Sequence, residues 1–180
     1  MIGLDTNVLI RYLAQDDPRQ SPKATRLIES LTVDAPGYIS IVVVVEIVWV
    51  LTGCYASTKT ELCEVLETLL RAKGIVVAHA DTVWKALRLF KEGKADFADC
   101  LIDRFASDAG CSHTATFDRD AANHCGMRLI EEGLQLRLRS ATAMPKMRKR
   151  KIPVYKGHGG LVAGVNATSN KAMPDLLATD

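Results

Sequence analysis

Short apolar runs at residues 2–5, 38–40, 75–78, 114–117 and 128–130 are separated by segments of helical period. Strands spaced by helices pair in parallel, and their crossovers leave helices on both faces of the sheet. Those crossovers are right-handed. Helices are predicted over residues 6–14, from 18 to about 31, and over 58–71, 81–92, 96–108 and 120–125. Asp16-Asp17-Pro18 reads as the start of the second helix, with Pro18 in its first turn. Leu62, Val65, Leu66 and Leu69 form one apolar stripe, and Val83, Trp84, Leu87 and Phe90 another. Residues 41–51 stay open between two readings. Their valines and isoleucines favour a strand, while their length and Ser40 as N-cap favour a helix.

The alternation stops beyond Glu132. The rest contains the basic run from Lys146 to Lys151, then Gly157-His158-Gly159-Gly160. Such a composition cannot bury a core of its own. We divide the chain into a domain over 1–132 and an extended basic arm over 133–180, with a short helix possible at 171–178. From Arg137 onward there are nine Lys or Arg and two Asp or Glu, against fourteen and nineteen in residues 1–136. An acidic body therefore carries a basic tail, and the asymmetry suggests that the two attract.

The apolar stretch 39–51 is interrupted by Ser40 and Glu46 and is too short to span a bilayer. The N-terminus lacks a basic segment ahead of its apolar run, so a cytosolic protein without membrane contact is expected. The five cysteines are odd in number and none is spaced C-x-x-C, so reduced thiols are expected. The four histidines form no ligand-spaced pair, and no zinc site is expected.

The acidic residues carry the chemistry. Asp5 closes the first apolar run and Asp118 the fourth, so both belong at the C-terminal sheet edge where ligands collect. Glu46 interrupts an apolar run. Buried, it needs a metal ion or a basic partner; otherwise it reaches solvent on an exposed face. Asp96 and Asp99, three apart, share one helical face, while Phe97, Leu101 and Phe105 turn to the core. Asp96 also suits the N-cap of its helix, Asp103 reads as a solvated surface acid, and Asp120 as a helix-start residue. Thr116 projects to the same side as Asp118 and can offer it, or a bound water, a hydroxyl. Strand ends supply Asp5 and Asp118, and helices supply Glu46 and Asp99. An all-oxygen carboxylate set suits Mg²⁺ or Mn²⁺. Such an ion activates water and neutralises a phosphoryl group, which suggests phosphodiester hydrolysis.

Four pieces in order, Leu4-Asp5-Thr6-Asn7-Val8-Leu9-Ile10, the Glu46 segment, Asp96-Phe97-Ala98-Asp99-Cys100-Leu101-Ile102 and Thr116-Phe117-Asp118-Arg119-Asp120, carry a resemblance. Over residues 1 to about 132 the chain resembles the PIN-domain ribonucleases, and within them the VapC-type toxins of toxin–antitoxin pairs. The resemblance implies a three-layer α/β/α fold with a five-stranded parallel sheet, and makes 41–51 a helix. It implies that Asp5, Glu46, Asp99 and Asp118 bind the metal, with Asp96 accessory and Asn7 and Thr116 orienting them. It further implies Mg²⁺- or Mn²⁺-dependent endonucleolytic cleavage of RNA, a homodimer, and an antitoxin that blocks the groove. The arm departs from the pattern. Its residues 151–161 and 167–172 resemble the toxin-wrapping end of VapB-type antitoxins. One of Arg148, Lys149, Arg150 or Lys151 would then reach the acidic site. An RNA-holding arm and an inert tail are the other readings.

Two other functions follow different features. A catalytically silent PIN-like module would bind RNA or a protein without cutting. An aspartyl-phosphate phosphatase needs an aspartate two residues after its nucleophile, and Asn7 stands there.

Overall fold

In the computed structural model of the chain, residues 1–130 are described. The elements run β1 (Ile2–Gly3), α1 (Thr6–Ala14), α2 (Ser21–Glu29), β2 (Gly37–Ile39), α3 (Ile41–Tyr55), α4 (Lys59–Arg71), β3 (Ile75–Val77), α5 (Ala80–Glu92), α6 (Phe97–Asp108), β4 (Ala115–Thr116), α7 (Arg119–Cys125) and β5 (Arg128–Leu129). Met1–Leu129 form one unit. The basic arm, with Arg148, Lys149, Arg150 and Lys151, lies outside the described residues.

Among the described residues every strand pair is parallel. β2 is central to a three-stranded sheet ordered β1-β2-β3, with Ile2 opposite Gly37 and Ile39 opposite Val77. β4 and β5 pair separately, Ala115 opposite Arg128. The expected five-stranded sheet is thus divided into three strands and two. The reason lies in strand length. β1 and β4 are two residues each, so either offers few backbone groups for a ladder beyond the partner it already has. Tyr38 and Val76, partners in register, are 36% and 43% exposed, so the sheet is only partly covered at these two positions.

Residues 41–51 form a helix despite their β-branched side chains. Ser40 caps α3 by accepting from the Val43 N–H, and Val44, Ile47 and Leu51 bury the inward stripe. Burial of that stripe outweighs a β propensity worth only tenths of a kcal/mol per residue, on the order of 1 kcal/mol across the scale. A second expectation fails. Asp16-Asp17-Pro18 is a turn, in which the Asp17 carboxylate accepts from the N–H groups of Arg19 and Gln20, 2.8 and 2.7 Å away. α2 starts three residues later, at Ser21-Pro22. Asp16 instead accepts from Tyr55 Oη at 2.6 Å and from Arg11 at 2.7 Å; the two hold its carboxyl below the ordinary range.

The core joins Leu9 and Ile10 of α1, Ile39 of β2, Leu62 and Leu66 of α4, Val83 and Leu87 of α5 and Phe97 and Leu101 of α6. Phe90 and Phe97 meet edge to face, with centroids 5.8 Å apart. Close backbone approach tightens one corner. The Gly74 oxygen accepts from the Gly37 N–H at 2.9 Å, and a Cβ on Gly74 would lie 2.8 Å from the Leu31 carbonyl oxygen. Backbone cannot swing aside as a side chain can. Gly74→Ala is therefore expected to lower stability by about 1–3 kcal/mol, read from the urea midpoint.

Candidate active site

Asp5 sits two residues beyond β1 and is the N-cap of α1. Its Oδ2 accepts from the Asn7 N–H at 3.4 Å. Residue Asp118 repeats the device beyond β4. It caps α7, its Oδ1 accepting from the N–H groups of Asp120 and Ala121 at 2.7 and 3.2 Å. Both carboxylates thus face a helix N-terminus, where the macrodipole favours negative charge. They were expected on one sheet edge. β1 and β4 belong to different sheets, so strand pairing does not provide it.

Glu46 is exposed, on a face of α3 shared with exposed Val42 and Trp49 at helical spacing. It therefore escapes the cost of an ion in the core. Its Oε2 accepts from the buried Thr6 hydroxyl at 2.6 Å. That bond joins the start of α1, next to Asp5, to the middle of α3. Removing it in Thr6→Val leaves a carboxylate that water can still solvate. The expected loss is about 1 kcal/mol or less, measured by urea unfolding.

Asp99 lies in the first turn of α6 and is buried at 8% exposure, one residue from the fully buried Cys100. Asp96 takes the N-cap position of the same helix, as one of the two sequence readings has it. Asp103, expected in solvent, is buried and pairs with Arg104. The reason is that it lies one helical turn beyond Asp99, on a stripe that faces inward rather than out. Asp120 stands in the first turn of α7, as expected. Thr116 does not donate to the Asp118 carboxylate. Its Oγ1 accepts from the Asp118 N–H at 2.9 Å and so fixes the backbone from which that carboxylate springs.

The donor chemistry fits a hard cation. Asp5, Glu46 and Asp118 each commit one oxygen to a protein donor, and their second oxygens accept no hydrogen bond among the described residues. A complete ligand shell is not assembled: among the described residues no three His, Cys, Asp or Glu side chains are grouped to hold a metal ion.

Two features escaped the sequence reading. One is Thr6 as the support of Glu46, signalled only by a hydroxyl directly after a strand-end aspartate. The other is a groove of about 260 Å³ between α1 and α2, floored by Val8, Ala24 and Leu27 and edged by Asn7, Arg11 and Lys23. Its apolar floor comes from positions that read as ordinary helix stripes. Among the described residues no helix is long and apolar enough to cross a membrane.

No curated protein matches the chain. The PIN-domain family does, over residues 2–126, a span that holds β1, every helix among the described residues and all four acids expected to bind metal. With well over half of its length so matched, the chain belongs to the PIN-domain family, whose members are in general metal-dependent nucleases.

Proposed function

We propose that the protein is a Mg²⁺- or Mn²⁺-dependent endoribonuclease, the toxin component of a type II toxin–antitoxin system, acting in the cytoplasm as a homodimer. The observation that carries this reading is the 2.6 Å bond from Thr6 to Glu46, which ties the neighbour of Asp5 to an acid forty residues away in sequence. Asp5, Glu46, Asp99 and Asp118 would hold the cation, with Asp96 beside Asp99. When bound, Mg²⁺ supplies Lewis acidity toward a phosphodiester and charge neutralisation in the transition state. The chain's own groups do the rest. Thr6 orients Glu46, Thr116 and the Asn7 backbone N–H orient Asp118 and Asp5, and an ionised carboxylate accepts the proton of the attacking water.

A cognate antitoxin, or the chain's own arm through Arg148, Lys149, Arg150 or Lys151, is the proposed inhibitor. Incubation of total RNA with Mg²⁺ and either the full chain or a chain ending at Leu136 tests both ideas. Cleavage is expected with the truncated chain and to be weaker, by about tenfold or more, with the full chain, as one competing salt bridge at the site implies. Lower cleavage on truncation points to an RNA-holding arm. No cleavage by either chain sinks the nuclease reading.

The silent-module reading has one observation in its favour, the absence of a grouped three-ligand site among the described residues. Mn²⁺ titration separates the two. A nuclease binds Mn²⁺ in a way that Asp5→Asn weakens, and a silent module does not.

A further inference from the structure

Three cysteines are buried, and two of them touch. Cys100 of α6 and Cys125 at the end of α7 are 0% and 2% exposed, and their sulfurs are 3.1 Å apart. Cys63, equally out of solvent, has no such contact to another cysteine, and Cys54 and Cys111 are exposed. A buried thiol is ordinarily a small apolar filler. A pair in direct contact across two helices is different. A closure of only about 1 Å brings the sulfurs to bonding distance, far less than a rearrangement of the backbone.

We propose that Cys100 and Cys125 are an oxidisable dithiol, reduced in the resting protein, which closes to a disulfide stapling α6 to α7. The oxidant class is a small peroxide. One thiol attacks the O–O bond of hydrogen peroxide and becomes a sulfenic acid, releasing one water. The second thiol attacks that sulfur, the S–S bond forms, and a second water leaves. Two electrons and two protons pass from the thiols to the peroxide, and a dithiol reductant reverses the change. Both sulfurs are out of solvent, so the proposal requires α7, a helix of seven residues, to open locally for the peroxide to enter. The closed bond would constrain the chain between the helix that bears Asp99 and the helix that Asp118 caps.

The pair can be read by mass, independently of any RNA cleavage. The five cysteines fall on five separate tryptic peptides, Cys100 on residues 95–104 and Cys125 on residues 120–128. The full chain is treated with hydrogen peroxide, alkylated under denaturing conditions and digested. The expected product is the 95–104 and 120–128 peptides joined, two hydrogens lighter than their sum, and released by dithiothreitol. The melting temperature is expected to rise by roughly 5–10 °C on oxidation, as closure of a loop of this size implies. In Cys125→Ala and Cys100→Ala the rise should vanish. The proposal is overturned if Cys54 and Cys111 oxidise while Cys100 and Cys125 are recovered alkylated. It is equally overturned if Cys125 joins another cysteine, or if the rise persists in Cys125→Ala. Should either variant fail to fold, the peptide masses of the unaltered chain decide alone.

Discussion

Asp118→Asn is expected to lower Mg²⁺-dependent RNA cleavage by about 10²–10⁴-fold while leaving the fold almost untouched. The two effects separate because the carboxylate caps α7 and, in the proposed function, also holds the cation. Oδ1 caps α7 through the N–H groups of Asp120 and Ala121, and Asn caps a helix about as well as Asp. The stability change is therefore expected to stay within about 0.5 kcal/mol. A hard cation, by contrast, prefers an anionic oxygen, and the amide has none. Asp99→Asn should lose activity to a similar degree, since it keeps side-chain shape at a buried position of α6. Chelation of divalent ions by EDTA should reproduce the loss in the unaltered chain. The assay is end-mapped cleavage of total RNA, run beside a urea melt of each variant. Wild-type rates in Asp118→Asn, with an unchanged melt, would remove that residue from the site.

Phe97→Ala is expected to cost about 3–5 kcal/mol of stability. Its ring is 1% exposed and packs edge to face on Phe90, so truncation removes a large apolar volume that the neighbours cannot refill. Against a typical total of about 5–15 kcal/mol, the loss leaves a domain near its unfolding threshold. The urea midpoint should fall sharply with little change in slope. Phe97 also opens α6, two residues before Asp99, so cleavage should fail at a lower temperature in this variant. A midpoint shift equivalent to less than about 1 kcal/mol would mean that the α5–α6 contact contributes little.

Much of the local structure was legible in residues near one another. The boundaries of α1 follow from an aspartate before a helical stripe, and α4 was read from its apolar stripe; the structure adds a capping box at its start, with Thr58 Oγ1 accepting from the Glu61 N–H. Misreadings arose where one local signal competed with another. Asp17-Pro18 suits both a helix start and a turn, and the carboxylate settled on the turn N–H groups of Arg19 and Gln20. Asp103 looked like a surface acid because charge alone does not reveal which way its helix is rotated. The family resemblance supplied the helical state of residues 41–51, which propensity left undecided.

The alternation of short apolar runs with amphipathic helices is enough to dictate parallel strands, because a helix between two strands returns the chain to the same end of the sheet. The caps at Asp5, Ser40, Thr58 and Asp118 are dictated locally as well, since each meets its N–H partner within three residues. Only tertiary structure decided that the strands divide into a sheet of three and a pair, that Thr6 supports Glu46, and that Cys100 meets Cys125. Each of those outcomes depends on how far apart whole elements settle once their apolar faces pack, and that distance is a property of the packed core rather than of any one segment.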